Sequence, residues 1–165
     1  MSYRTVFGSL SEYEKGGVQV IDANPKHYVF SNVFDVASKS KAYERIAVAK
    51  NLRFVLEVAR ADGVSPWYTA GHDESALVMD GEVEIVLVKP ERPLAADTTE
   101  GAVRIGDTAP KGKRMGVIKA RRGHMALLPK GCAYQFRTLN PSVLLIQTIA
   151  GPETVQKWAD ICQVA

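Results

Sequence analysis

The chain has 165 residues and a formal net charge of +3, with 21 basic and 18 acidic residues. This length predicts one domain with a single core, and the mixed charge lacks the concentrated basic face of a nucleic-acid-binding protein. No apolar run approaches the ~20 residues that a membrane-spanning helix needs. We therefore expect neither nucleic acid nor a membrane as a partner.

The densest basic stretch lies between Lys111 and Arg122, where an apolar strand pattern interrupts it. It contains no aromatic residue on which a base could stack, so we interpret it as a solvated strand and loop. Cys132 and Cys162 are the only cysteines, and the first residues do not resemble a secretory signal. We expect a reducing, cytoplasmic location, with Cys132 as a small packed residue.

Residues 1–40 are predicted to form an N-terminal arm and a short helix. Apolar residues at positions 29, 30, 33, 34 and 37 form a helical stripe. We expect this stripe to pack on the outside of the β-structure that follows.

Residues 41–150 are predicted to form that β-structure, because apolar residues alternate with period two in short segments bounded by Gly, Pro and Asn. Nine or so short strands, one of them in the arm, indicate a sandwich or jelly roll. Asp80-Gly81 is typical of a tight hairpin turn, since glycine accepts positive φ. The predicted strands are Val18–Ile21, Ile46–Ala49, Leu52–Ala59, Ala76–Met79, Val83–Val88, Met115–Lys119, His124–Leu128, Tyr134–Thr138 and Val143–Ile149.

One long irregular connection is predicted over residues 90–114, which are rich in Pro, Gly, Asp, Thr and Lys. It is interpreted either as a lid or contact surface or as a mobile solvated loop.

A C-terminal helix is predicted over residues 151–165. Gly151-Pro152-Glu153 supplies a cap, a proline suited to the first turn and an acid near the positive end of the dipole. One face of this helix carries Val155, Trp158, Ala159 and Cys162. Trp158 is interpreted as a packing residue on the barrel or as a contact to a partner subunit.

Two segments resemble the paired metal-binding motifs of the cupin family. The first family motif is His-x-His, three or four residues, Glu, six residues and Gly; the second is Gly, five residues, Pro-x-Gly, two residues and His. Here Glu74 precedes Gly81 by the same spacing, and Gly123 is followed by Pro129-Lys130-Gly131 and Tyr134. The resemblance implies an all-β cupin jelly-roll barrel with a short N-terminal helix and a C-terminal helix.

The residues at the ligand positions lack imidazole. Glu74 stands at the carboxylate position, and Tyr134 at that of the second motif's His. The His-x-His positions fall on Tyr68 and Ala70, or on Trp67 and Thr69 with the longer spacing; neither choice gives a His pair. Because useful sites need three or more fixed N, O or S donors, we expect no metal on this chain.

Two other uses of the barrel interior remain open. Tyr68, Glu74 and Tyr134 could form an oxygen donor set for ferric iron, although ionising a phenol with a pKa near 10 is costly. The favoured interpretation is that the tyrosines fill the metal's space and hydrogen-bond each other or Glu74. Alternatively, a pocket for a small molecule is lined by Trp67, Tyr68, Glu74, Tyr134 and Phe136.

The three histidines are interpreted as structural or surface residues. His72 is out of phase with the ligand spacing, although in a strand it would share a face with Glu74. His124 lies on the wrong side of the Pro-x-Gly turn, and His27 lies outside both motifs.

Across residues 17–163 the order of the segments is similar to that of the small subunits of two-component hydroquinone 1,2-dioxygenases. The segments that carry the resemblance are 32–37, 50–53, 65–69, 72–74, 79–83, 122–124, 127–129, 131–134 and 157–162.

The resemblance implies a hetero-oligomer in which a large cupin subunit holds catalytic Fe(II) and hydroquinone is converted to 4-hydroxymuconic semialdehyde. This chain would support that subunit without catalytic residues of its own. Two alternatives are a stand-alone metal-free cupin that binds or converts a small molecule, and a structural or regulatory cupin.

Overall fold

Residues 32–161 are described by the structure, a computed structural model, and they form two β-sheets with a short helix at each end. The helices are α1 (Val33–Lys39) and α2 (Trp158–Ile161). The strands are β1 (Arg45–Asn51), β2 (Phe54–Ala61), β3 (Trp67–Ala70), β4 (Glu74–Asp80), β5 (Glu82–Pro90), β6 (Ala102–Gly106), β7 (Gly112–Arg121), β8 (Met125–Leu128), β9 (Ala133–Arg137), β10 (Ser142–Ile149) and β11 (Thr154–Val155).

The two sheets face each other as a sandwich. The six-stranded sheet has the order β11-β1-β2-β10-β4-β8, and the five-stranded sheet has the order β6-β3-β9-β5-β7. Side chains that alternate inward from both sheets form the main core, whose largest fully buried members include Tyr134, Phe136 and Ile85. The predicted jelly-roll class is confirmed, because period-two alternation places one set of side chains between the sheets.

The chain turns at Gly81 between β4 and β5, but the predicted hairpin is wrong, because these strands belong to different sheets and do not pair. Gly81 has a φ of +76°, a conformation in which a side chain is strained. A Cβ at this position would also lie 2.2 Å from the Ser142 hydroxyl. The turn therefore requires glycine for conformation and for space.

Helix α1 packs on the outer face of the six-stranded sheet. The Asn32 side chain caps it by accepting hydrogen bonds from the backbone N–H groups of Phe34 (3.0 Å) and Asp35 (3.3 Å). Ala37 is buried against this face and Val33 and Phe34 pack against it, as the stripe predicts, whereas Val36 is buried although it lies outside the predicted stripe. Positions 29 and 30 of the stripe, and the predicted strand Val18–Ile21, lie outside the described residues.

The connection predicted as irregular over residues 90–114 contains regular structure. Its residues 102–106 form β6, which pairs with β3, and its last residues begin β7. Long-range pairing gives these segments their strand conformation although their composition is typical of loops. Within the predicted connection, residues 91–101 and 107–111 remain without a helix or strand.

The chain after β10 also differs from the prediction. Residues 152–153 form a turn, and Thr154–Val155 pairs in parallel with Arg45 and Ile46 as β11. Helix α2 consequently begins at Trp158, whose indole N–H donates to the Gln156 side chain at 3.2 Å. Thr154 and Val155 are β-branched residues that favour a strand, and they pair with the edge of β1. The helix therefore begins only after them. Cys162 lies outside the described residues.

The described helices contain seven and four residues. No helix in the range 32–161 is long and apolar enough to cross a membrane.

Candidate functional site

Four polar side chains meet inside the sandwich, one from each of four strands. They are Arg45 from β1, Glu57 from β2, Glu74 from β4 and Tyr134 from β9, and none is more than 3% exposed. Burying charge is costly unless it is paired and hydrogen-bonded. The contacts within this internal cluster therefore decide its chemistry.

The Arg45 guanidinium is the centre of the internal cluster. Its Nε donates to Glu57 Oε2 at 2.5 Å, its Nη2 donates to Glu74 Oε1 at 2.8 Å, and its Nη1 donates to the Tyr134 hydroxyl at 3.0 Å. The Tyr134 hydroxyl in turn donates to Glu74 Oε2. Thr154 completes the set by donating to Glu57 Oε1 at 2.5 Å. Both carboxylates are thus hydrogen-bonded through each of their oxygens.

The Tyr68 ring packs against the guanidinium and is the first of three neighbouring aromatic rings. Arg45 Cζ lies 5.7 Å from the centroid of the Tyr68 ring, within the range of a cation–π contact. The Tyr68 and Tyr134 ring centroids are 5.9 Å apart, and those of Tyr134 and Phe136 are 5.4 Å apart. The Arg45 side chain and the rings of Tyr68 and Tyr134 therefore fill the space between the predicted ligand positions.

The pKa shifts in the internal cluster favour an ionised Glu74 beside neutral phenols. Burial acts to raise the pKa of Glu74, but the charge of Arg45 and the hydrogen bond from Tyr134 hold it below its ordinary value. Burial raises the pKa of Tyr134 well above its ordinary value, and burial also raises the pKa of Tyr68. Without a cation beside them, both phenols are therefore protonated.

The positions matched to the cupin ligands converge as the motifs predict. Tyr68 and Tyr134 are direct partners on neighbouring strands, and Glu74 begins the strand that follows β3. Ala70 lies at the end of β3 and is buried. Tyr134 hydrogen-bonds Glu74, one of the contacts predicted for the tyrosines. A divalent cation bound here would have to displace a guanidinium that donates to both Glu74 and Tyr134, so these residues do not fit a ferrous ion.

The prediction that Trp67 lines an internal pocket is wrong. It packs on the outer face of the five-stranded sheet with Val86, Val88 and Ala133. Successive residues of a strand point to opposite faces, so Trp67 and Tyr68 cannot both line the interior. Phe136 does face the interior with Tyr134.

Two surface depressions, of about 910 and 520 Å³, lie away from the internal cluster. The larger is lined by residues around Gly81 and Leu139, and the smaller by residues around Asn51 and Gln147. Neither is lined by the residues predicted to form the pocket.

Both histidines within residues 32–161 make hydrogen bonds, His72 to a distant strand and His124 within its own turn. His72 lies in the bend between β3 and β4 rather than in a strand, and its Nε2 is 2.9 Å from the Thr148 hydroxyl and accepts from the Ile149 N–H at 3.3 Å. His124 Nδ1 accepts from the Arg121 N–H at 3.1 Å. Within that range no group of three or more His, Cys, Asp or Glu side chains could hold a metal. His27 lies outside it.

Residues 91–101 close the sandwich near the bend that precedes Glu74. A Cβ at Gly71 would lie 2.6 Å from the Ala96 carbonyl oxygen. Lys130 forms an ion pair with Asp97 at 3.0 Å, and its N–H donates to the Asp73 side chain at 2.7 Å. Residues 91–101, which are part of the segment predicted as a lid or a mobile loop, therefore pack against the bend between β3 and β4.

Cys132 is buried in the main core. Burial raises the pKa of its thiol to about 11, so the thiol is protonated at neutral pH and is a poor nucleophile. The prediction of a small packed residue is confirmed.

Two solved structures match almost the whole chain. The crystal structure of hydroquinone 1,2-dioxygenase from Sphingomonas sp. TTNP3 with 4-hydroxybenzoate is 50% identical, with a TM-score of 0.92 over 99% of each chain. That of hydroquinone 1,2-dioxygenase PnpCD with Cd²⁺ and 4-hydroxybenzonitrile is 48% identical, with a TM-score of 0.89 over 98% of this chain and 97% of the other. The chain belongs to the hydroquinone 1,2-dioxygenase family. Neither the family models nor the curated proteins give a match.

Hydroquinone 1,2-dioxygenase structures contain a second, longer kind of chain. In PnpCD with Fe³⁺, a chain aligns with 87% of this one at a TM-score of 0.60 and 14% identity, but the alignment covers only 40% of that longer chain. This level of identity shows a shared fold alone. A cupin-2 protein from Shewanella frigidimarina, 15% identical with a TM-score of 0.51 over 70% of this chain and 89% of the other, agrees with the predicted cupin jelly roll.

Arg45 is the centre of the internal cluster, and the motif analysis did not identify it. It lies 29 residues before Glu74 and 89 before Tyr134, in a segment that no cupin motif covers. A signal was present, because Arg45 and Glu57 are charges of opposite sign within apolar runs that predict buried strands. Such charges are rarely buried unless they are paired, and this pattern could have identified the pair.

Proposed function

We propose that this chain is the small, metal-free subunit of a heteromeric, Fe(II)-dependent ring-cleaving dioxygenase. The enzyme would convert hydroquinone to 4-hydroxymuconic semialdehyde, with iron held by a larger cupin subunit. The proposal depends on one observation: the Arg45 guanidinium donates to Glu74 and to Tyr134, the two polar side chains at the cupin ligand positions. A fixed positive charge at that place opposes a second cation.

The related structures support a complex of one small and one larger kind of subunit. Enzymes described as hydroquinone 1,2-dioxygenase include a chain that matches this one end to end and a chain more than twice as long with a similar barrel. One of them was solved with Fe³⁺. When bound in the larger subunit, iron would supply the oxygen chemistry. The present chain would stabilise that subunit.

The internal cluster suits such a supporting role. Arg45, Glu57, Glu74 and Tyr134 satisfy one another, which leaves no donor set directed at a substrate. The complex is proposed to be a cytoplasmic hetero-oligomer, where reducing conditions keep thiols such as Cys132 reduced.

The test is an iron assay on the purified chain and on its complex with the larger chain of the same organism. We expect iron and hydroquinone turnover in the complex, and no stoichiometric iron in this chain alone. The control is the larger chain alone, which should bind iron but lose stability or activity. Stoichiometric iron or ring cleavage in the solitary small chain would contradict the proposal.

The same measurements separate the alternatives. A stand-alone enzyme or ligand-binding barrel would turn over or bind an aromatic substrate without the larger chain. A structural or regulatory cupin that binds a different partner and no substrate would leave the stability and the activity of the larger chain unchanged. The matches over almost the whole chain to hydroquinone 1,2-dioxygenase structures favour the dioxygenase subunit over both alternatives.

A further inference from the structure

The outer face of the six-stranded sheet carries exposed apolar side chains on β4 and β8. The residues of these strands that point inward to the main core include Ala76, Val78, Ala126 and Leu128. Successive residues of a strand point to opposite faces, so Leu77, Met125 and Leu127 point outward. Met125 is 67% exposed and Leu127 is 55% exposed. Large apolar residues are therefore open to solvent on this face.

The strand register joins these residues into one patch. Leu77 is the direct partner of Met125 on β8 and of Leu145 on β10. Leu127 is diagonal to Leu77, because its direct partner is Ser75. Side chains at direct and diagonal positions lie within contact distance of one another. We call Leu77, Met125 and Leu127 the β4–β8 patch. It continues the buried apolar cluster formed with α1, to which Leu145 belongs, toward the edge of the sheet.

The path of the chain places the residues before α1 beside this patch. Helix α1 contacts β2 and β10, and β10 lies directly beside β4 in the sheet. After α1 the chain moves away from the patch, because Ala42 bridges to Arg60 of β2 and the chain then forms β1 on the far side of β2. Before α1 the chain has 31 residues that precede the N-cap Asn32. The patch is thus adjacent to the point at which these residues join the sheet.

Residues 17–31 have the reach and the composition to cover the patch. An extended chain spans about 3.3 Å per residue, and β8 lies two strands from β10, a distance of about 10 Å. The segment contains two mainly apolar runs, residues 18–21 and residues 28–30. Because the segment is covalently tethered, its effective concentration at the patch is far higher than that of a separate chain. A tethered segment is therefore favoured over a second molecule.

We propose that residues 17–31 fold back over the outer face of the six-stranded sheet and pack on the β4–β8 patch. A contiguous exposed apolar patch is typical of an interaction site, and here the occupant is a segment of the same chain. The inference concerns the isolated chain and goes beyond the proposed function. It implies that this face of the sheet is closed before any other chain binds.

The test is mild oxidation of the full chain by hydrogen peroxide, with each methionine followed by mass spectrometry of its peptide. Met115 on β7, outside the patch, is the internal reference: it is 50% exposed, less than Met125. Oxidation follows exposure, so an open patch would let Met125 react at least as fast as Met115. With residues 17–31 on the patch, Met125 should react at least about threefold more slowly than Met115.

Two matched double variants identify the occupant. Ile21→Ser combined with Phe30→Ser removes one apolar side chain from each run of the segment, and it should raise the oxidation rate of Met125 to at least that of Met115. Val6→Ser combined with Phe7→Ser is the control, because it makes the same kind of change before residue 17. It should leave both rates unchanged. Circular dichroism and the unfolding midpoint verify that each variant is folded.

Four outcomes would overturn the inference. In wild type, Met125 could react as fast as Met115, which would show an open patch. The Ile21 and Phe30 variant could keep the slow rate, which would show that residues 17–31 do not cause it. Protection of Met125 that rises with protein concentration would identify a second copy as the occupant. Protection that arises only when the larger chain is added would identify that chain.

Discussion

At the scale of single residues, one arginine explains how this barrel interior tolerates two carboxylates. Glu57 and Glu74 are each 1% exposed, and Arg45 bonds to both. An ion pair buried in this way contributes little net stability relative to apolar residues, but removal of one partner leaves uncompensated charge. Single substitutions in the internal cluster should therefore be strongly destabilising.

Arg45→Ala should lower the free energy of unfolding by about 3–5 kcal/mol, because two carboxylates lose their common cation. Urea unfolding measures this change. Arg53→Ala is the control: the Arg53–Glu100 pair is 3.4 Å long with both side chains more than half exposed, and its loss should cost less than about 1 kcal/mol. A loss below that limit for Arg45→Ala as well would show that the internal cluster is not buried as described.

The lowered pKa of Glu74 predicts a specific dependence on pH. A carboxyl group with a depressed folded pKa adds stability above its unfolded pKa, and this contribution is lost as pH falls through the folded value. Wild type should therefore be more stable than Glu74→Gln at pH 7, and the difference should shrink below the ordinary pKa of 4.5.

Urea titrations of wild type and Glu74→Gln across pH measure this difference. Tyr134→Phe serves as a second variant, because loss of the hydrogen bond to Glu74 should shift the pH dependence to higher pH. A difference between wild type and Glu74→Gln that stays constant at every pH would contradict the assignment.

At the scale of elements, several segments take their structure from neighbours that are distant in sequence. β6 pairs with β3, and β11 pairs with β1. β11 also brings Thr154 to Glu57, so a two-residue strand contributes to the internal cluster. Residues 91–101, between β5 and β6, are held by close backbone contact at Gly71 and by the ion pair from Lys130.

Gly71→Ala should loosen residues 91–101, because the added Cβ would lie 2.6 Å from a backbone carbonyl oxygen. The expected cost is about 1–3 kcal/mol in unfolding free energy, with faster hydrogen exchange at the Thr99 amide, which donates to Ala96 at 2.9 Å. Gly116→Ala is the matched control, since nothing lies within 4 Å of its added Cβ. Unchanged exchange at Thr99 in the Gly71 variant would disprove the close contact.

At the scale of the whole molecule, the interior and the sheet edges differ. The buried polar side chains are hydrogen-bonded to one another, whereas edge strands carry exposed side chains. The internal cluster occupies the cupin ligand positions, and residues 91–101 pack beside them. The edge strands β7 and β8, by contrast, expose apolar and basic side chains. This distribution is consistent with a subunit that contacts another chain and carries out no chemistry in its own interior.

The sequence by itself determined the sheet class and the loss of imidazole ligands, because period-two alternation and motif spacing are local properties. It also predicted that Tyr68, Glu74 and Tyr134 converge. Only the tertiary structure decided that Arg45 lies between them, that Trp67 faces outward and that Thr154–Val155 forms a strand. These features depend on contacts between residues far apart in the chain, such as the 89 positions that separate Arg45 from Tyr134, and local sequence patterns do not encode such pairings.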